Sequence, residues 1–463
     1  MGPMSRVRAF ARTHWVFLTL LAAGTIVRAI TQFAYQPALI YWDTYPYLAS
    51  MAERQPGSVR PFGYSAFLLL LRIHNGLEII PLVQHLLGLF MGTLIYVLLQ
   101  RLGVRRLFAA LAAAPILLDA FQINLEQQIM SETLFELLLL SGLALLLWKR
   151  RPGIFLAAAA GLAFSGALLT RPNALLIIVP AVLAVFFLRG FRSGLGPATV
   201  LIVAFVTPVV VYAFWFHSYY GVYSITSFQG PSIYARVATI VDCQTLEVPK
   251  YQRVLCPAEP IPDRLPLDSY IWSGESPRHR VDPPPGMTKD DVAADFAKRA
   301  ILQQPWPYIR SVAYDFIRGF APVRTSGPKD VAVARWQFHP DYPLYHERAT
   351  YETLRRYGYD GPVAVPQLTR LLVPYSTFGI IPGPLLFAAL LAGLAVVLGI
   401  GRSKHSGLRT AAFLFTSFAG AVLVPSAMLI FSWRYQLPQF LLLPAAGAIA
   451  ATAFLDGDDP PAE

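Results

Sequence analysis

The chain has 463 residues, 55% of them hydrophobic and 14% charged, with a net charge of +11 and a mean hydropathy of +0.49. Soluble globular chains carry nearer ~25% charged residues, so the composition excludes an ordinary water-soluble enzyme. The basic excess marks loop ends instead of forming one patch, which argues against nucleic acid as a partner and for membrane lipids.

Apolar runs recur at roughly 18–25 residues, the length that crosses a hydrocarbon core. They predict an all-α polytopic membrane protein with about ten spans, at approximately 14–34, 77–100, 107–122, 130–148, 153–170, 172–189, 197–217, 378–400, 410–431 and 437–455. The first lacks a small-residue cleavage site and reads as a retained helix, not a signal peptide. Arg6, Arg8 and Arg12 precede the first span. Arg101, Arg105 and Arg106 follow the second, and Lys149, Arg150 and Arg151 the fourth. Arg189 and Arg192 follow the sixth, and Arg402, Lys404 and Arg409 the eighth. All fall on one side if both termini are cytoplasmic, as the positive-inside rule expects. The other side holds few basic residues in its short loops: Arg54, Arg60 and Arg72, then Arg171, then Arg434.

Three parts are then expected. Residues 1–217 form a transmembrane module whose first exoplasmic loop is 35–76. Residues 218–370, rich in Pro, Tyr and acids, form a mixed exoplasmic domain between the seventh and eighth spans. Residues 371–463 complete the membrane part and end in a short cytoplasmic tail.

The first loop places Asp43, in Tyr41-Trp42-Asp43-Thr44-Tyr45-Pro46-Tyr47, at the bilayer surface. A carboxylate among aromatics beside lipid suits a general base or metal ligand. The plainer alternative is an N-cap for a helix over 44–53, and the two are compatible. Pro61-Phe62-Gly63-Tyr64 then turns the chain into a short apolar stretch, Ser65–Ile73, which ends at His74. Apolar helices on either side of a turn make a groove with greasy walls. The next loop of this side holds Asn124, Glu126, Gln127, Gln128, Ser131 and Glu132. Glu132 falls in the first turn of the fourth span, where acids at the membrane edge are costly and mark function. The alternative is a favourable interaction with the helix dipole. Asp119 and Glu136 are runner-up acids. Asp43 and Glu132 are candidates to flank a reacting hydroxyl or share a divalent metal.

Arg171, in Leu169-Thr170-Arg171-Pro172, and Arg434, in Arg434-Tyr435-Gln436-Leu437-Pro438, break the positive-inside pattern. A guanidinium offers phosphate a planar fork of donors; for a lone arginine, anchoring to lipid headgroups is the plainer reading. Arg28, inside the first span, is a third candidate. In the large segment, Thr288-Lys-Asp-Asp291 predicts a capping box and a helix through about Gln303. Pro305 and Pro307 open a second helix, with Ile309, Val312, Ala313, Phe316 and Ile317 on an apolar pattern. It is expected on the membrane surface or the outer ends of the spans, or as a core-facing helix. Cys243 and Cys256 suit a disulfide in an oxidising compartment. His339, Asp341, His346 and Glu347 match no standard metal spacing, and Asp456-Gly457-Asp458-Asp459 reads as a solvated acidic end. No phosphate-binding G-x-x-x-x-G-K-[ST] loop is present, which argues against an ATP-driven pump.

Taken in order, these elements resemble the C-type integral-membrane glycosyltransferases, which include protein mannosyltransferases and lipid A aminoarabinose transferases. The likeness rests on five elements. Asp43 resembles the family's acid after the first span, and Pro61–Phe67 resembles its entry into the next helix. Gln128–Phe135 is similar to its second acidic element, and Leu169–Pro172 and Arg434–Pro438 to its arginine elements. The chain departs from the pattern at Thr44, where many members carry a second acid. It also departs in having its large soluble segment between spans instead of after the last one. The resemblance implies a sugar donor on polyprenyl phosphate and a glycan, lipid or protein acceptor. It implies Asp43 as base, Glu132 as acceptor-orienting or metal-holding acid, and Arg171, Arg434 and Tyr435 at the donor phosphate. Tyr45, Tyr64, Glu126 and His74 would support the acceptor. With the Ala-, Arg- and Pro-rich usage of GC-rich bacteria, it implies a bacterial plasma membrane with the site on the periplasmic or extracellular face. Two other classes remain open from the residues: a transporter of a lipid-linked glycan, or a membrane-anchored glycan-binding protein.

Overall fold

The computed structural model describes residues 3–71, 76–327, 330–343, 354–359, 361–401 and 406–455. Helices dominate it. The only sheet among the described residues is a two-residue antiparallel pairing of Tyr35–Gln36 with Val363–Ala364. Among the described residues, six helices are long and apolar enough to cross a membrane: Trp15–Ala34, Ile79–Arg101, Pro172–Arg189, Phe191–Tyr220, Gly407–Leu429 and Trp433–Leu455. Two bent pairs bring the number to eight if each is one span: Arg106–Leu118 with Ala120–Gln127, bent by 45°, and Pro366–Phe378 with Gly383–Val397, bent by 49°. The chain is therefore a multi-pass membrane protein. The other two segments expected to span are the helices Glu132–Leu147, of 16 residues, and Ile154–Thr170, of 17. At ~1.5 Å per residue they fall a few ångströms short of a ~30 Å core.

The two bends have one cause. Asp119 leaves the helical conformation between Leu118 and Ala120, and its carboxylate accepts from the Phe121 N–H at 2.9 Å. The same carboxylate accepts from the Ile381 N–H at 2.8 Å, in the break of the other pair, and pairs with Arg324 at 3.0 Å. The Ala120 N–H donates to the Gly379 carbonyl at 2.6 Å. Backbone groups freed by one break are thus satisfied by the other, as an apolar surrounding demands. Asp119 is a structural staple rather than a reserve catalytic acid.

The segment after residue 218 has a small core of its own, centred on Tyr234, Ala238, Leu255, Tyr270, Phe296 and Ala300. It is helical with loops. Its described residues add only the short strand Val363–Ala364, so the expected mixed character amounts there to helices with almost no sheet. Helix Lys289–Gln303 opens on a capping box in which Thr288 and Asp291 exchange hydrogen bonds, as the spacing predicts. Cys243 and Cys256 form a disulfide, with Cα atoms 6.0 Å apart. Helix Pro305–Arg318 sits on the end of the Ser406–Leu429 helix, where the Tyr308 hydroxyl donates to the Met428 carbonyl at 3.1 Å. Trp306, Ile309 and Ile317 face outward.

Candidate functional site

Four chain segments meet at the site, and the first loop is pinned to its neighbours by contacts that the sequence does not advertise. The segment before Asp43 is stitched to the second loop: the Leu39 N–H donates to the Gln127 carbonyl at 3.0 Å and the Ile129 N–H to the Leu39 carbonyl at 3.2 Å. The Thr44 hydroxyl, itself accepting from the Tyr41 N–H at 3.1 Å, lies 3.2 Å from the Ile129 carbonyl. This brings Asp43 beside Ser131 and Glu132. Farther along the loop, Gly63 lies against the end of the Ile154–Thr170 helix. A Cβ there would meet the Leu169 carbonyl oxygen at 2.6 Å, so only glycine permits this approach to Arg171. Residues 56–60 are pinned by the chain after the Phe191–Tyr220 helix. Tyr220 donates to the Pro56 carbonyl at 2.8 Å, and the Thr226 hydroxyl is shared between the Ser58 and Val59 carbonyls at 2.9 and 3.0 Å.

The result is a compact group of charges. Asp43 accepts from Arg434 at 2.5 Å and from Arg60 at 2.9 and 3.1 Å. Glu132 pairs with Arg171 and lies 3.7 Å from Arg434. Two carboxylates thus face three guanidiniums. Arg434 is walled by the rings of Tyr41, Trp336 and Tyr435, and Arg171 lies over Tyr435 at 4.9 Å. Tyr47 donates to the Ser131 hydroxyl at 2.9 Å. The group borders a cavity of about 100 Å³, into which Arg60, Arg171, Tyr435, Tyr47, Ser131 and Asn173 project. Asp268, from helix Leu267–Trp272 of the second core, is close enough to feel Arg434, Arg335 and Asp43, and its burial raises its carboxyl. Burial also works against ionisation of Asp43. The Arg434 and Arg60 guanidiniums outweigh it and hold the carboxyl well below the usual carboxylate range. Burial pushes the Tyr47 phenol up to about 12, so it stays a hydrogen-bond donor at neutral pH.

Asp43, Glu132, Arg171, Arg434 and Tyr435 are therefore brought together, and several other candidates are not. Asp43 precedes helix Thr44–Glu53, but its side chain makes no capping bond; it turns to the arginines instead. Glu126 belongs to a separate buried group: it pairs with Arg28 at 2.7 Å and with His85 at 3.0 Å. The remaining Arg28 donors go to the carbonyls of Ile116, Leu117 and Gly24, so Arg28 is no phosphate ligand. Gln122 bridges Glu126 and Glu136 at 3.2 and 2.9 Å. The spans thus hold more polar groups than their hydropathy suggests. Tyr64 donates to Gln84 at 2.8 Å and meets the Tyr47 ring edge-on. Tyr45 is half-buried at the start of its helix. His339 lies on a loop against the Ala334 carbonyl, at 2.6 Å, and Asp341 is exposed beside it. His74, His346, Glu347 and the acidic end at 456–459 lie outside the described residues.

Arg60 and Tyr47 are the members that motif reading passes over. Arg60 had a signal, as another arginine on the side where basic residues are scarce. No three His, Cys, Asp or Glu side chains among the described residues are grouped to share a metal ion. Asp43 and Glu132 are each engaged by arginine, so the donor set does not fit a divalent cation. Family models, curated proteins and solved structures yield no match to the chain.

Proposed function

We propose that the chain is a membrane glycosyltransferase of the C-type class. It would move a sugar from polyprenyl phosphate to a hydroxyl of a glycan, lipid or protein acceptor on the non-cytoplasmic face of a bacterial plasma membrane, across about ten spans. One observation carries this reading: Asp43 and Glu132 are paired with three guanidiniums at the ends of the spans, and two of these, Arg60 and Arg171, line one cavity. The chemistry fits. The acceptor oxygen attacks the anomeric carbon from the face opposite the phosphate, and the acceptor proton passes to Asp43. The bond from anomeric carbon to phosphate oxygen breaks, with its electron pair leaving on the phosphate. The configuration inverts. Fixed guanidiniums in a site poor in water stabilise the charge that develops on the phosphate. Glu132, held by Arg171, orients the acceptor hydroxyl or keeps Arg171 aimed at the phosphate. A transport reading needs polar groups along a path through the bilayer. The Arg28 donors are instead spent on Glu126 and on neighbouring carbonyls.

The test is transfer of label from polyprenyl-phosphate sugars by the purified protein. Asp43→Asn is expected to lower transfer by about 10²–10⁴-fold, the range a general base supplies, with expression unchanged. Near-native transfer by that variant would remove Asp43 from the mechanism.

A further inference from the structure

The proposed base is not free to act. Both oxygens of Asp43 are engaged, one by Arg60 alone and the other by Arg60 and Arg434. A carboxylate so held is a poor proton acceptor, because protonation would strand guanidiniums in a site where unpaired charge is costly. The rate advantage of a base matched to its task would then be missing.

Arg60 has the geometry to resolve this. Its backbone is held by the contacts of Ser58 and Val59 with Thr226, and Ser227 donates from both its N–H and its hydroxyl to the Ser58 carbonyl. Its head, stacked at 5.9 Å on the Phe228 ring, already lines the cavity with Arg171 and Tyr435. Its Nε is buried without a hydrogen-bond partner, so Nη2 holds Asp43 while a neighbouring donor of the same fork is unmet. A phosphate entering the cavity would meet Arg60 and Arg171 without any backbone movement. It would offer the two-point acceptor that a planar guanidinium favours. Moving Arg60 from carboxylate to phosphate trades one charge-assisted contact for another of the same kind.

We propose that Arg60 is exchanged between Asp43 and the donor phosphate, so that lipid-phosphate binding both fills the cavity and frees a carboxylate oxygen for the acceptor proton. Arg60 is then a phosphate-binding residue and the keeper of the base. Acceptor activation follows donor binding, which limits loss of the sugar to water. This rests on the reading of the chain as a polyprenyl-phosphate-dependent transferase.

Equilibrium binding of a polyprenyl monophosphate without sugar to the full-length protein in detergent tests it. Because Asp43 competes with phosphate for Arg60, Asp43→Asn should bind the probe about tenfold more tightly than the native protein, on the scale of one charge-assisted bond no longer traded. Arg60→Gln should bind it about tenfold more weakly, and adding Asp43→Asn to Arg60→Gln should restore little. Asp43→Ser, which lets water solvate the guanidiniums, reads the same competition if Asp43→Asn does not fold. Native-like or weaker binding by the Asp43 variants would overturn the exchange. So would a full tenfold gain that persists without Arg60. A native protein that does not bind the probe at all would remove both the exchange and the transferase reading. Binding without the Asp43 effect would remove the exchange alone.

Discussion

Two buried charge groups, built from the same residue types, behave differently. Around Glu126, every donor of Arg28 has a fixed acceptor: the carboxylate itself or the carbonyls of Gly24, Ile116 and Leu117. His85 closes the rest by bridging Glu126 and Gln127. Around Asp43, three arginines share two carboxylates at the edge of a cavity, with the Arg60 Nε and both Glu132 oxygens short of well-formed hydrogen bonds. The first group ties three spans together and leaves no Arg28 donor for a ligand. The second is incompletely satisfied and open, the condition in which an anion gains by binding. Buried ion pairs are weak evidence of function by themselves; an accessible space and unmet donors distinguish the two groups.

The contrast breaks most sharply at Arg28. Arg28→Met leaves the Glu126 carboxylate buried without its guanidinium partner, and should destabilise the protein by about 3–5 kcal/mol. Thermal or chemical unfolding in detergent would show it. If Arg28→Met unfolds like the native protein, the sealed group is not structural and the contrast fails. At the open group, Gly63→Ala is expected to cost about 1–3 kcal/mol by overpacking and to lower transfer as well, since the first loop must withdraw from the Leu169 carbonyl and from Arg171. Unchanged activity with reduced stability would mean that this approach does not position the site.

The smallest effect is a pH dependence. The folded-state carboxyl of Asp43 is held below its ordinary value by Arg434 and Arg60 against the opposing effect of burial. Its contribution is therefore fully present above the unfolded carboxylate pKa of about 3.9 and lost as pH falls through the folded value. The difference in unfolding midpoint between the native protein and Asp43→Asn should stay flat from pH 8 to about 5 and then shrink as the solution is made more acid. A difference that instead grows on acidification would mean the carboxyl is not held by the arginines.

Much of the architecture was legible in the chain because apolar length is a local property. The helices Trp15–Ala34, Ile79–Arg101 and Phe191–Tyr220 fall on expected spans, and the Thr288–Asp291 capping box needs only four consecutive residues. The bends near Asp119 and Ile381 were not legible, because each is made tolerable by the other, some 260 residues away in sequence. Asp43, Glu132, Arg171 and Arg434 stood out as polar residues in costly places. Hydropathy registers such a residue but not its partner, so Arg28 and Glu126 stood as further candidates although the structure pairs them with each other.

By itself, then, the sequence determined that the chain is a helical multi-pass membrane protein, and which polar side chains lie at the ends of its apolar runs. Hydrophobic length and charge distribution are read along one dimension and require no contacts. Only the tertiary structure decided which acids meet which arginines, that Arg60 joins them, and which buried pair is sealed. Those outcomes depend on contacts between segments as distant as Asp43 and Arg434, and on a glycine that lets two backbones touch. An ion pair acquires its meaning from the space around it, and that space exists only once the helices have packed.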